Sequence, residues 1–210
     1  MIAPARQEYP IDGPAGPLEA LIETPQDRAL SAVAVLCHPH PLYGGALTNK
    51  VVHTLARAFQ DLGAETVRFN FRGVGRSAGT HDGGPGELED ALAVIAFART
   101  RNPGCALWLA GFSFGGMIAF QCAQREHTGW LVTVAPALRI VQAAEASSRP
   151  QCPWLIVQGD ADELVDARDV ATWAASFDPP PVLRLFLGGE HFFHGRLNEL
   201  YEAVVKEEPG

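Results

Sequence analysis

The sequence predicts an α/β fold, with a mostly parallel sheet and helices on both faces of the sheet. Apolar runs rich in β-branched residues recur along the chain, which is typical of strands buried on both faces of a parallel sheet. Segments with helical periodicity lie between and after these runs, and such strand–helix alternation is typical of an α/β architecture. The length of 210 residues and the mass of 22.5 kDa predict a single domain spanning residues 1–210.

The elements follow one another in a regular order. Arg6–Ile11 and Leu18–Thr24 flank a turn-forming Asp-Gly-Pro-Ala-Gly segment and predict a hairpin, which adds antiparallel strands at one edge of the sheet. Six apolar runs predict the remaining strands: Ala32–His38, Thr66–Phe71, Ala106–Phe112, Trp130–Ala135, Trp154–Gln158 and Val182–Leu187. Five segments predict helices: Asn49–Leu62, Leu88–Arg99, Phe114–Arg125, Val165–Phe177 and Leu197–Lys206. The roughly 18 residues between the fourth and fifth of these six runs are too few for a separate cap domain.

The composition excludes several classes of partner. A net charge of −8 and a pI near 5.3 argue against nucleic acid and anionic membranes. No apolar run is long enough to span a membrane, and the N-terminus lacks the pattern of a signal peptide. The four cysteines, Cys37, Cys105, Cys122 and Cys152, form no C-x-x-C pair. We therefore expect reduced thiols and a cytoplasmic protein.

A single serine lies between glycines in the stretch "LAGFSFGGMIA", where Ser113 follows a predicted strand and precedes a predicted helix. A strand that turns directly into a helix forces a tight bend, and Gly111 and Gly115 allow the two elements to approach. The helix start directs free N–H groups toward the same point. Because ligands gather at the carboxyl ends of parallel strands, this G-x-S-x-G pattern predicts a nucleophile rather than a structural turn.

A serine nucleophile needs an acid and a base that follow later strands. The segment "GDADELVD" after the fifth apolar run provides the acid, and we favour Asp162, which lies past the turn, over Asp160, which turn formation can employ. Asp166 is better interpreted as a helix N-cap.

The base comes from "GGEHFFHG", which follows the last predicted strand. We favour His191, which lies in the loop, over His194, which we expect to open the final helix. The resulting order Ser113, Asp162, His191 is the Ser…Asp…His order of α/β-hydrolases.

An oxyanion hole needs two N–H donors. One is the backbone N–H of Phe114, the residue after the nucleophile. The other is expected in "HPHPLYGG", where the two prolines lack an N–H. His40, Leu42 and Tyr43 remain as candidates, and His40 is favoured by its position.

Taken together, these motifs resemble the α/β-hydrolase superfamily along the whole chain. The closer resemblance is to small lidless bacterial serine hydrolases related to the dienelactone-hydrolase-like esterases. It rests on the order of "CHPHPLYGG", "NKVV", "RFNFRGVGRSAG", "GELEDALA", "GFSFGG", "IVQGDADELVD" and "HFFHG". The resemblance implies an eight-stranded sheet in a three-layer sandwich, a Ser113–Asp162–His191 triad, and structural roles for Arg72 and Ser77. Dienelactone hydrolase typically has a cysteine nucleophile, so Ser113 does not support a lactone-specific activity.

We therefore predict a serine hydrolase that cleaves an ester or thioester of a small acyl substrate, without a cofactor or metal. Short acyl or aryl esters are favoured if about half of the apolar residues near the motifs line the site: Leu42, Tyr43, Phe112, Phe114, Phe192 and Phe193. The rival interpretations are a catalytically silent binding domain and a metallohydrolase that uses the His38 and His40 pair. The "GVGRSA" stretch matches a dinucleotide fingerprint, but no helix is expected to open inside it. The oligomeric state is left open.

Overall fold

The computed structural model describes residues 3–139 and 148–209 and arranges their strands in one eight-stranded sheet. The strands are β1 (Ala5–Gly13), β2 (Gly16–Thr24), β3 (Ala32–Cys37), β4 (Ala64–Phe69), β5 (Ala106–Phe112), β6 (Trp130–Val134), β7 (Trp154–Gly159) and β8 (Val182–Phe186). The helices are α1 (Lys50–Asp61), α2 (Pro85–Arg101), α3 (Phe114–Arg125), α4 (Ala167–Ala175) and α5 (Leu197–Lys206). Within these residues, no helix has the length and apolar character needed to cross a membrane.

The sheet order is β1-β2-β4-β3-β5-β6-β7-β8. β1 and β2 form the expected antiparallel hairpin, β2 is antiparallel to β4, and every later pair is parallel. The predicted α/β fold and its eight strands are therefore confirmed. The parallel strands end at one edge of the sheet, where the loops after β3, β5, β7 and β8 meet.

Two apolar clusters cover the two faces of the sheet. All six residues of β3 are buried, and they alternate between these clusters. Val33 and Val35 belong to the cluster that contains residues of α2, α3 and α4, whereas Ala34 and Leu36 belong to the cluster that contains residues of α1 and α5. This alternation follows from the two-residue period of a strand. Burial on both faces is the reason that the strand is an unbroken apolar run in the sequence.

Several predicted boundaries differ from the structure, among them the strand predicted at Thr66–Phe71, which is β4 over Ala64–Phe69. The helix expected at Leu88 begins at Pro85, whose fixed φ angle suits the first helical position. The helix expected at Val165 begins only after Asp166, whose side chain caps it. The last helix covers Leu197–Lys206, as its segment predicted, so the expectation that His194 opens it was wrong.

Burial of the last strand was also predicted wrongly. β8 is the final strand of the sheet, and its residues Val182 and Leu185 are 43% and 48% exposed. A strand at an edge has one hydrogen-bonded neighbour, so its side chains are covered less completely than those of a central strand.

All four cysteines are free thiols, and Cys37, Cys122 and Cys152 are buried, as expected. The prediction for the connection between β6 and β7 falls partly on residues 140–147, which lie outside the described residues.

Candidate active site

Ser113 occupies the bend between β5 and α3 in a conformation that is rare for a residue with a side chain. Its φ angle is 55° and its ψ angle is −117°. Such a backbone costs about 1–3 kcal/mol and persists only where the surrounding structure enforces it. Here the Ser113 N–H donates to Val134 O at 2.8 Å, and the Ser113 carbonyl accepts from Gly116 and Ala137 at 3.0 and 3.2 Å.

Two glycines make this bend possible because each lies against another backbone segment. A Cβ atom on Gly111 would lie 2.1 Å from the carbonyl oxygen of Gly115. A Cβ atom on Gly115 would lie 2.3 Å from the carbonyl oxygen of His38. The predicted role of these glycines is therefore confirmed, and the second contact brings the loop after β3 against the start of α3.

The structure pairs the predicted base with the predicted acid. His191 Nδ1 donates to Asp162 Oδ2 at 2.8 Å, and both side chains are almost fully buried. This hydrogen bond leaves Nε2 as the ring nitrogen available to a serine hydroxyl. The His191 ring packs against Phe112 and Phe192, with centroids 4.9 and 5.1 Å apart, which fixes its plane. Ser113 and His191 line the same cleft.

The Asp162 carboxylate is held by a set of further donors. Its Oδ1 accepts from the N–H groups of Leu164 and Val165 at 2.9 and 2.8 Å, and its Oδ2 accepts from Gln158 Nε2 at 3.0 Å. Burial acts to raise the pKa of Asp162, but hydrogen bonds from His191 and from the Val165 and Leu164 N–H groups outweigh it and lower the pKa. The carboxylate therefore stays ionised beside the imidazole.

The alternative candidates for the acid, Asp160 and Asp166, and for the base, His194, make contacts elsewhere. Asp160 accepts from the Gly188 N–H at 2.5 Å and stabilises the turn after β7, and Asp166 accepts from Arg168 N and caps α4, as predicted. His194 is 72% exposed at its side chain and contacts Glu190.

The three candidate oxyanion donors in the loop after β3 differ in their hydrogen bonds. The Leu42 N–H donates to His40 Nδ1 at 3.2 Å, and the Tyr43 N–H donates to His40 O at 3.1 Å. Two of the three candidate N–H groups therefore already donate a hydrogen bond within the loop, and the His40 N–H is the remaining candidate. The His40 ring also packs 5.2 Å from the ring of Phe114, beside the start of α3.

His38 is a structural residue rather than half of a metal-binding pair. Its Nδ1 donates to Pro39 O at 2.6 Å, and its Nε2 accepts from the Phe71 N–H at 3.0 Å, so both ring nitrogens are engaged. Burial lowers the pKa of His38 to about 4, and the bond to Pro39 only partly opposes this effect. A neutral imidazole thus links the loop after β3 to the end of β4.

Sequence reasoning missed two groups of residues. His81 Nδ1 donates to the fully buried Glu87 carboxylate at 2.8 Å, and the His81 ring lies 4.8 Å from that of His40. Burial lowers the pKa of His40, and the nearby His81 lowers it further. Gln158 contacts Asp162 from inside β7. The sequence signal for the first group was Glu87, three residues after the helix cap at Gly84. The signal for the second was Gln158, a polar residue near the end of a buried strand.

The "GVGRSA" stretch is a turn without a helix, as expected, and it is held by side-chain contacts. Ser77 Oγ donates to Asn70 O at 2.6 Å. Arg72 Nη2 and Nε donate to the buried Asp90 carboxylate at 2.8 and 3.1 Å. These contacts are structural, in agreement with the roles that the resemblance implied for Arg72 and Ser77.

The apolar residues expected at the mouth divide equally between core and surface. Phe112, Phe114 and Phe193 are fully buried, whereas Leu42, Tyr43 and Phe192 are exposed. Clefts of about 510 and 220 Å³ open beside Ser113, and Tyr43 lines both of them.

A family model described as Hydrolase_4, serine aminopeptidase S33, matches residues 31–149. The chain is 43% identical to an α/β serine hydrolase homologue from Coxiella burnetii, with a TM-score of 0.91 and coverage of 97% of each chain. It is 38% identical to a serine hydrolase without a lid from Xanthomonas campestris, with a TM-score of 0.89 and coverage of 99% and 94%. Est1E from Butyrivibrio proteoclasticus, solved with ferulic acid, shares the fold at 19% identity, with a TM-score of 0.84 and coverage of 94% and 96%.

The close backbone approach at the bend predicts a large effect of a single methyl group. We expect Gly115→Ala to lower the free energy of unfolding by about 3 kcal/mol, because the new Cβ would displace the His38 carbonyl. Gly104→Ala, at a positive-φ turn with open space around it, should cost only about 1 kcal/mol. Urea unfolding curves measure both values, and equal losses would contradict the proposed close packing.

Burial of neutral His38 predicts an acid-sensitive stability. The folded pKa of about 4 lies below the ordinary value of 6.5, so the unfolded chain binds the extra proton first. The contribution of His38 should be complete above pH 6.5 and decline by up to about 3 kcal/mol as the pH falls to 4. Nitrogen NMR of the imidazole should show neutral His38 at pH 5. A charged His38 at that pH would contradict this assignment.

Proposed function

This chain belongs to the Hydrolase_4 family of α/β serine hydrolases, and on that premise we propose that it hydrolyses carboxylic esters through an acyl-enzyme on Ser113. The observation that carries the proposal is the strained backbone of Ser113 at the start of α3, in a cleft that it shares with the Asp162-bound His191. A polar hydroxyl at such a bend lies beside free helix N–H groups, which is the environment that acyl transfer needs.

The reaction proceeds in two half-reactions. His191 Nε2 takes the Ser113 proton as Oγ attacks the acyl carbonyl, and the protonated imidazole then gives that proton to the departing alkoxide. The C–O bond to the alcohol breaks, and the acyl group remains on Ser113. Water then attacks the acyl-enzyme with His191 again acting as base, which releases the acid and restores the serine hydroxyl.

Two backbone donors stabilise the negative charge that develops on the carbonyl oxygen. Phe114 is the first residue of α3, so its N–H has no carbonyl one turn earlier to bond. The His40 N–H is the candidate that the loop after β3 leaves without the contacts made by Leu42 and Tyr43. The close approach of the His38 carbonyl group to Gly115 supports the combination of these two donors, because it brings the loop after β3 to the start of α3.

Asp162 orients the base and stabilises its charged form. The hydrogen bond to Nδ1 selects the His191 tautomer whose Nε2 can accept a proton. The imidazolium that forms after proton transfer lies against a carboxylate whose pKa is lowered, so the pair carries opposite charges during the reaction.

Ester cleavage fits the surroundings of Ser113 better than release of an N-terminal amino acid, the activity that the description of the family model names. An aminopeptidase must bind a free α-ammonium group, which requires an available carboxylate. The acids that line the smaller cleft are already engaged, since Asp166 caps α4 and Asp169 pairs with Arg139 at 3.2 Å. We therefore propose a small-molecule ester as the substrate and a single catalytic domain over residues 1–210.

Loss of the nucleophile should abolish the reaction. We expect Ser113→Ala to reduce kcat for p-nitrophenyl acetate by roughly 10⁴-fold or more, and Asp162→Asn to reduce it less. A fluorophosphonate should label wild-type Ser113 and stop hydrolysis, whereas EDTA should have no effect.

The same assays distinguish the rival functions. Activity that survives Ser113→Ala and disappears with EDTA would support a metallohydrolase instead. A folded wild-type protein that neither hydrolyses the ester nor reacts with the fluorophosphonate would support a binding domain.

Gln158 should act on the rate through Asp162. Gln158→Met removes one donor from Oδ2, which raises the basicity of the carboxylate and strengthens its bond to His191. We expect kcat/KM to fall by roughly tenfold, because the carboxylate that orients His191 is then held by one donor fewer and one hydrogen bond to a charged group is lost. The ascending limb of the pH profile should move to higher pH. Gln7→Met, on the exposed edge strand β1, serves as the control; an unshifted limb in Gln158→Met would leave Gln158 a purely structural residue.

A further inference from the structure

His191 lines one of the two clefts beside Ser113 and not the other. This difference matters because the base contacts only one of the two halves of an ester, the leaving group. The larger cleft, of about 510 Å³, is lined by His191 and Phe192. The smaller cleft, of about 220 Å³, is lined by Leu138 and Asp169 and does not include His191. Ser113 lies where they meet.

The chemistry of acyl transfer assigns these clefts. The leaving group receives its proton from His191, so its oxygen or sulfur atom must lie on the side of Ser113 where His191 is. We infer that the larger cleft binds the leaving group and the smaller cleft binds the acyl chain, an inference that rests on the proposed function. The walls of the larger cleft then identify the substrate class: esters of apolar alkyl or aryl alcohols, rather than thioesters of phosphorylated carriers such as coenzyme A.

The wall of the leaving-group cleft is apolar and open to solvent. Tyr43 is 86% exposed, Leu164 is 64% exposed and Phe192 is 41% exposed. Large apolar side chains grouped around a reactive centre are typical of ligand-binding surfaces. An aryl or alkyl group in this cleft would cover these side chains and be removed from water itself.

The described lining of the same cleft lacks the strongly basic side chains that bind phosphate groups. Neither lysine nor arginine is among its described lining residues, and residues 140–147 contain neither residue type in the sequence. The start of α1 lies at its wall, but the Asn49 side chain already accepts from the Val51 and Val52 N–H groups. Of the two clefts beside Ser113, Arg139 lines the smaller one, where it is paired with Asp169. The net charge of −8 adds a repulsive field for anionic carriers.

Two thioesters with the same acetyl group test the substrate class. Benzyl thioacetate and acetyl coenzyme A both release an alkyl thiol, but one is apolar and the other is phosphorylated. We expect kcat/KM for benzyl thioacetate to exceed that for acetyl coenzyme A by about tenfold or more. Equal values, or a preference for acetyl coenzyme A, would overturn the inference.

Two variants test the assignment of the clefts. Phe192→Ser should lower the ratio of kcat/KM for benzyl over methyl thioacetate by about tenfold. Any disturbance of His191, which Phe192 contacts, would affect both substrates alike and cancel in that ratio. Leu138→Ala should instead change the dependence on acyl length across p-nitrophenyl esters and leave the benzyl-to-methyl ratio unchanged. The exposed Leu187, which lines neither cleft, provides the control Leu187→Ser.

The opposite pattern, in which Phe192→Ser changes acyl selectivity and Leu138→Ala changes leaving-group selectivity, would reverse the assignment.

Fluorophosphonate labelling of Ser113 distinguishes failure of this inference from failure of the proposed function. If Ser113 is labelled and p-nitrophenyl acetate is hydrolysed while acetyl coenzyme A is preferred, only the inference fails. If neither reaction occurs, the proposed function itself fails.

Discussion

The close approach of β5, α3 and the loop after β3 is the constraint on which the whole site depends. Without side chains at Gly111 and Gly115, three backbone segments meet at Ser113. The serine accepts an unfavourable φ angle because Val134 and Ala137 hold it through hydrogen bonds to its N–H and carbonyl. Ala135 and Phe193, the other described non-glycine residues with positive φ, lie after β6 and beside His191, at the same edge of the sheet. Positive φ angles at residues with side chains are thus found at the edge of the sheet where the proposed catalytic groups lie.

Buried hydrogen bonds fix the chemistry on both sides of that bend. On one side, Asp162 accepts from Gln158, His191 and two backbone N–H groups, which keeps a buried carboxylate ionised. On the other side, His38 is neutral, and its ring connects the loop after β3 to Phe71, just after β4. Preorganised donors and charges contribute to catalysis because they need not reorganise during the reaction. Polar groups are thus buried in two ways: Asp162 is buried as a charged group with several hydrogen-bond donors, and His38 is buried as a neutral group.

Much of the fold was predictable, and the exceptions have physical reasons. Central strands such as β3 are buried on both faces, so their apolar runs identified them. β8 is also rich in apolar residues, but it contains Arg184 and lies at an exposed edge. Periodicity cannot show which strand is last in a sheet. The positions of Ser113, Asp162 and His191 followed from spacing because each lies just beyond a strand end. Gln158 and the His81–Glu87 pair did not, since their contacts depend on which distant segments the topology brings together. For the same reason, the sequence could not show which apolar residues are exposed at the cleft (Leu42, Tyr43 and Phe192) and which are buried in the core (Phe112, Phe114 and Phe193).

The central claim is that Ser113 carries the acyl group during turnover. Rapid-quench mass spectrometry with p-nitrophenyl acetate tests it most directly, because it detects the covalent intermediate rather than its consequences. The account predicts a burst of p-nitrophenol close to one equivalent per active site, together with one acetyl group on the peptide that contains Ser113. Turnover with no acetylated peptide at any quench time, or with the acetyl group on another residue, would contradict it.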